Sequence, residues 1–261
     1  MLVNQYQRFN KPFIAAIVSL LLISCQAPVA ATGTQTPIAD SGGKTQFRHH
    51  EPAVDMTPQR ALALLQFGNR RFVGGELRSR EHTNEVAATA GKQDPFASIV
   101  SCIDSRIPPE LIFDQKIGDL FVSRVAGNFV NNDILGGLEF GSVQYHAKVI
   151  VILGHSGCGA VNGACQDVRQ GFLTDTLANI LPAVQTVREF NPDMPSDDPV
   201  FVHKVAVKNV KLNMEKLLDR DTLLRDLTAK GTIKLMGAMY NVGNGQVEFK
   251  YKVVNGKVVA L

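Results

Sequence analysis

The chain predicts an α/β fold: a single domain with a mostly parallel central sheet flanked by helices, closed by a C-terminal hairpin or edge strand. Two observations carry this. Apolar runs of strand length at residues 98–102, 120–125 and 149–153 alternate with stretches of helical periodicity, the pattern of parallel strands joined by helical crossovers. Two further strand-like runs, 233–240 and 246–253, flank the turn Asn241-Val242-Gly243-Asn244-Gly245, which closes the chain with a hairpin or an added edge strand. With 261 residues, 45% apolar and 20% charged, the composition is that of an ordinary globular protein with a sizeable core.

The elements follow in order. Residues 1–24 read as a signal peptide: Arg8 and Lys11 precede an apolar run at 13–23, which is short for a bilayer span. Leu22-Ile23-Ser24-Cys25 resembles the lipobox of bacterial lipoproteins, in which the cysteine is acylated and becomes the mature N-terminus, so Cys25 is the expected lipid anchor. The alternative is an ordinary secretory peptide cut near Ala30 or Ala31, with Cys25 discarded. Residues 25–50 then form the lipidated cysteine and a tether rich in Ala, Thr, Pro and Gly, ending at His49-His50 and too poor in large apolar side chains to fold. The folded domain is 51–261. The expected location is extracytoplasmic, in the periplasm or cell envelope, anchored by lipid to a membrane.

Thr57-Pro58 caps a helix that should run to about Val73. A strand at 98–102, a turn or short helix at 108–113 and a strand at 120–125 come next. Residues 132–146 look helical despite Gly136, Gly137 and Gly141, which would permit close packing, and lead into the strongest strand at 149–153. Helical stretches follow at 159–170, 173–190, 199–218 and 222–229.

Two short segments carry the chemistry. Ser101-Cys102-Ile103-Asp104-Ser105-Arg106 follows one apolar run and His155-Ser156-Gly157-Cys158 follows another, so both lie where an open α/β sheet presents its carboxyl ends. Two thiolates and an imidazole suit Zn²⁺, and three protein ligands leave a position open for water or a carboxylate, which points to catalysis. A structural Cys₂His₂ or Cys₃His centre usually pairs its cysteines as CxxC, and the chain has no CxxC. Zinc lowers the pKa of bound water from about 15.7 to about 7, giving a hydroxide that can act as a nucleophile near neutral pH. Asp104 can accept the proton of such a water, with Arg106 keeping it ionised. Alternatively, Asp104 is the fourth metal ligand.

These residues resemble the β-class carbonic anhydrases, whose CxDSR and HxxC motifs match Cys102, Asp104, Ser105, Arg106, His155 and Cys158. The likeness extends to Gly68-Asn69-Arg70-Arg71-Phe72, to Arg124-Val125-Ala126-Gly127-Asn128 and to Gly159, and covers residues 57–255. It implies one Zn²⁺ per subunit held by Cys102, His155 and Cys158, reversible hydration of CO₂ to bicarbonate and a proton, and a homodimer or higher homo-oligomer with the active site near the subunit interface. It further implies an open state with water on zinc and a closed, inactive one with Asp104 bound. Gln93 and Gly159 are the implied substrate contacts. Gln93, and Ile99 in place of a tryptophan, favour the open type.

One departure is Phe140, standing where plant-like members place an active-site tyrosine; Tyr145, five residues on, is expected on another helix face. Cys165 reads as a buried spectator thiol, with a redox disulfide to Cys158 as the minority reading. His82, His146 and His203 lack partner motifs, and any could carry protons. Two rival functions use the same residues: a non-catalytic zinc- or bicarbonate-binding lipoprotein, and a hydrolase of carbon disulfide or carbonyl sulfide. The net charge of +3, about +1 without Arg8 and Lys11, and the lack of a basic stripe argue against nucleic acid as a partner.

Overall fold

Thr57 opens helix α1 (Pro58–Gly74) by accepting the Arg60 N–H on its hydroxyl at 3.2 Å, and Gly75, at φ 71°, ends it. The structure is a computed structural model that describes residues 56–261, so the expected signal peptide, Cys25 and the tether with its His49-His50 end lie outside the described residues. Helix α2 (His82–Thr89) comes next, then β1 (Ala97–Ser101), α3 (Pro109–Ile112), β2 (Leu120–Arg124) and α4 (Asn132–Glu139), which runs into a π-helical turn (Phe140–Gln144). Strand β3 (Val149–His155) leads to α5 (Gly159–Cys165), α6 (Gly171–Ala178), α7 (Leu181–Phe190), α8 (Pro199–Arg220) and α9 (Thr222–Ala229). Strands β4 (Lys234–Tyr240), β5 (Val247–Val254) and β6 (Lys257–Ala260) complete the described chain.

The strands form one sheet in the order β2-β1-β3-β4-β5-β6, in which β2, β1, β3 and β4 run parallel and β5 and β6 are added antiparallel. Every residue of β1 and β3 is buried, which is why these strands are apolar on consecutive positions. The longest helix, α8, lies on β3 and β4 through Val205, Val210, Met214 and Leu217. Two glycines let it approach: a Cβ on Gly154 would stand 2.6 Å from Val210 Cγ2, and one on Gly237 would stand 2.6 Å from Met214 Sδ.

Several expectations need correction. The helix expected over 173–190 is two helices, because Pro182 sits in the first turn of α7 and cannot continue an earlier one. The helix expected over 159–170 stops at Cys165: Asp167 turns left-handed at φ 53°, and the Val168 N–H closes onto the Gly163 carbonyl at 2.9 Å. Of the three glycines expected to allow close packing, Gly141 does so, since its Cβ would meet Ser98 Oγ at 2.7 Å, whereas a Cβ on Gly136 would meet open space. Helix α2 was not expected, being short and without a buried residue. Strand β6 was not expected either, although Asn255 and Gly256, both at positive φ, are the two-residue turn that favours a hairpin.

Two buried polar residues tie α1 to the rest. Asn69 donates to the carbonyls of Ile112 at 3.2 Å and Gly245 at 2.9 Å, and accepts the Val247 N–H at 2.8 Å. Asp114 receives Arg71 on one oxygen and Arg80 on the other. Burial pushes the Asp114 carboxyl up, and the bonds from the two guanidinium groups outweigh it, so the group stays below its ordinary range.

Replacing Asp114 with Asn should therefore cost about 2 kcal/mol of unfolding free energy. That is below the roughly 3–5 of a fully buried pair, because both arginines keep some access to water. A depressed carboxyl stabilises above its unfolded pKa of about 3.9, and the benefit fades as pH falls through the lower folded value. In urea titrations the gap between the two proteins should hold from pH 5 to 8 and shrink below about pH 4.

Candidate metal centre

The sheet order sets the position of the site. From β1 the chain passes to β2 on one side and then to β3 on the other, so the crevice at the carboxyl ends of β1 and β3 is a topological switch point. Cys102 immediately follows β1, His155 is the last residue of β3, and Cys158 precedes the first turn of α5. All three side chains are buried, and their ligand atoms lie within 4.8 Å of one another.

The geometry fits zinc. Two sulfurs about 2.3 Å from a tetrahedral centre stand about 3.8 Å apart, and Cys102 Sγ and Cys158 Sγ are 3.9 Å apart. His155 Nδ1 lies 3.0 Å from the Ser156 carbonyl, while its buried Nε2 has no hydrogen-bond partner, as expected of a nitrogen that serves a metal. The thiols are coupled. A bond from Cys158, with help from His155 and the Gly127 N–H, holds the Cys102 thiol well below its ordinary value, and the same contact pushes Cys158 up. The protein alone thus favours one negative charge shared between the sulfurs, and a dication is what lets both ionise.

Asp104 stands beside this trio without joining it. Arg106 grips it bidentately, with Nε to Oδ1 at 2.9 Å and Nη2 to Oδ2 at 2.7 Å, and adds its own N–H to Oδ1 at 3.0 Å. These bonds, the Arg106 side chain first, hold the Asp104 carboxyl far below the usual range. Arg106 Nη2 also reaches the Gly157 carbonyl at 3.3 Å, linking the two motif loops. Asp104 Oδ2 is 4.0 Å from His155 Nδ1 and keeps an acceptor position. Arg124 at the end of β2 donates to the carbonyls of Cys102, at 2.9 Å, and Asp104, so it shapes the loop that carries both.

Gly159 is the first residue of α5, exposed beside Cys158. Gln93 is elsewhere: it precedes β1 while Cys102 follows it, so within one chain the strand separates them by more than about 15 Å. Phe140 and Tyr145 bear a different relation from the one expected. Their ring centroids are 5.1 Å apart because the π-helical turn brings residues five apart onto one side, where a plain α-helix would have separated them. Both rings also meet Phe121 of β2, at 6.0 and 5.3 Å.

Cys165 is buried at the far end of α5, and burial pushes its thiol up to about 11. Seven residues of helical rise place it about 10 Å from Cys158, too far for a disulfide without unwinding α5. His82 pairs with Glu85 on the exposed α2. His146 precedes β3, at the end of that strand away from His155, whereas His203 lines a small cleft with Ser156 and Tyr240. Sequence reasoning gave no role to Arg124 or Gly127 and missed Asn209 and Asn213. Their signal was a pair of amides four residues apart inside the apolar stripe of α8.

An open α/β sheet with a Cys-His-Cys cluster at its switch point defines a candidate zinc enzyme. The sequence profile of the family described as carbonic anhydrase matches residues 97–247, which include every residue of both motifs. The carbonic anhydrase of Mycolicibacterium smegmatis is 31% identical over 199 residues, covering 74% of this chain and 93% of that one. Carbonic anhydrase 2 of Mycobacterium tuberculosis is 30% identical over 204 residues, 76% of this chain and 95% of that one. Among solved structures, a tetrameric β-carbonic anhydrase from Sordaria macrospora superposes with a TM-score of 0.60 at 26% identity, over 77% of this chain and 98% of that one. The chain belongs to the β-class carbonic anhydrase family.

Expression in zinc-supplemented medium should yield about one zinc per chain by atomic emission. Cys102→Ser, His155→Ala and Cys158→Ser should each lose most of it, and Cys165→Ser should keep it. Loss of zinc in Cys165→Ser equal to that in Cys158→Ser would put the fourth cysteine in the site after all.

Proposed function

We propose that this protein interconverts CO₂ and bicarbonate with zinc held by Cys102, His155 and Cys158, and with Asp104 and Arg106 as the pair that orients water. The observation that carries this reading is the bidentate Asp104–Arg106 pair standing against three converging soft ligands. Zinc, when bound, supplies the Lewis acidity that makes water a nucleophile near neutral pH. Asp104 is ionised at every working pH and has an acceptor position on Oδ2 facing His155, so it can accept a hydrogen bond from the attacking water and aim its lone pair. Arg106 fixes that orientation by engaging both carboxylate oxygens, which supports the open arrangement. Carbon gains one C–O bond, one C=O bond becomes the second C–O of bicarbonate, and the proton passes to solvent.

Gln93 contributes only if another copy of the chain brings it to the site, because one chain holds it at the opposite end of β1. That supports a homodimer or higher oligomer. So does β2, a sheet edge with half-exposed Leu120, Phe121 and Val122 and nothing paired along its outer side among the described residues. Gly159, exposed beside Cys158, leaves space for substrate. Acylation of Cys25 would hold the enzyme on a membrane outside the cytoplasm, where it would exchange CO₂ and bicarbonate at the cell envelope.

Stopped-flow CO₂ hydration tests this. Asp104→Ala and Arg106→Ala should each lower kcat/KM by about a hundredfold while keeping zinc; full activity in either would remove the pair from the mechanism. The wild-type rate should rise from pH 6.5 to 9. Asp104 already stays ionised well below that window, and two thiolates cancel the zinc charge, so the midpoint should exceed the value of roughly 7 seen with three neutral histidines. A flat profile would contradict this.

A further inference from the structure

Two buried asparagines on α8 reach the metal centre through the backbone. Asn209 and Asn213 are 1% and 3% exposed, an unusual placement for amides within the apolar stripe of a core helix. Asn209 Nδ2 donates to the Gly127 carbonyl at 2.8 Å. Asn213 Oδ1 accepts the Val130 N–H at 2.9 Å. Asn213 Nδ2 donates to Asn209 Oδ1 at 3.0 Å and to the Asn209 carbonyl at 2.9 Å, which fixes which way the Asn209 amide faces. The pair therefore clamps both ends of the segment from Gly127 to Val130.

That segment points one donor at the cluster: the Gly127 N–H lies 3.4 Å from Cys102 Sγ. Gly127 adopts φ 86°, and a Cβ there would stand 2.5 Å from Ile180 Cδ1, so the residue is confined on its other side. An N–H aimed at a thiolate stabilises its lone pair and weakens its donation to a metal, one of the ways a surrounding shell tunes a metal centre.

On the reading that Cys102 is a zinc ligand, we propose that Asn209, oriented by Asn213, is a positioning residue that holds the Gly127 N–H on the Cys102 sulfur. It thereby sets the strength of one metal–thiolate bond from α8, without touching metal or substrate. Its place on α8 is fixed by Val210 and Met214 seated over Gly154 and Gly237, so the longest helix and the ligand loop are one mechanical unit.

The test uses the full chain with Co²⁺ in place of zinc. Asn209→Ala and the isosteric Asn209→Asp, which keeps an acceptor for Asn213 but loses the donor to Gly127, should shift the sulfur-to-cobalt charge-transfer band to lower energy. Asp114→Asn is the control, because Asp114 pairs with Arg71 and Arg80 rather than with a ligand segment; it should lower Tm without moving the band. An unmoved band in folded Asn209 variants, or an equal shift in Asp114→Asn, would overturn the proposal. In the unaltered chain loaded with ¹¹³Cd, the Gly127 amide proton should show scalar coupling to the metal through Cys102, and absence of coupling would overturn it even if the variants fail to fold. A wild-type cobalt protein with no sulfur charge transfer at all would instead refute the ligand assignment.

Discussion

Two sulfurs held 3.9 Å apart in a buried crevice are the constraint around which this protein is organised. Two thiolates at that distance repel each other, so the protein alone does not readily hold both charged. A dication removes that conflict, and the unpartnered Nε2 of His155 shows where a third bond goes. The arrangement depends on fully buried β1 and β3 ending side by side, because buried strands hold position where a mobile loop would not.

Around that centre the polar groups form a sequence of supports. Arg106 fixes Asp104, Arg124 fixes the loop carrying both Cys102 and Asp104, and Asn209 fixes Gly127. Arg124 and Asn209 end on carbonyls of another segment, and Arg106 reaches the Gly157 carbonyl as well as Asp104 in its own turn, so the geometry does not rest on any one loop. The glycines at 154 and 237 contribute indirectly, since only their missing side chains let α8 come close enough for its amides to reach the segment after β2.

The candidate ligand cluster was legible in the sequence because each motif follows an apolar strand run, and strand ends are where such sheets present chemistry. The pairing of Asp104 with Arg106 was legible for a similar reason, being local to one turn. What the sequence concealed is set by tertiary contact or by a rare backbone geometry. The π-helical turn that joins Phe140 to Tyr145 has no period-based signal, and Gln93 looks like a site residue although its strand carries it to the opposite end of the sheet. Asn209 and Asn213 read as unremarkable polar residues until their burial is known. The turn at Asn255-Gly256 was a readable signal for β6 and went unread.

X-ray absorption at the zinc edge of the reduced protein reads the ligand set itself. The expected result is a four-coordinate ion with two sulfurs at about 2.3 Å and two lighter atoms, nitrogen and oxygen, at about 2.0–2.2 Å. Three or four sulfurs, or none, would contradict it.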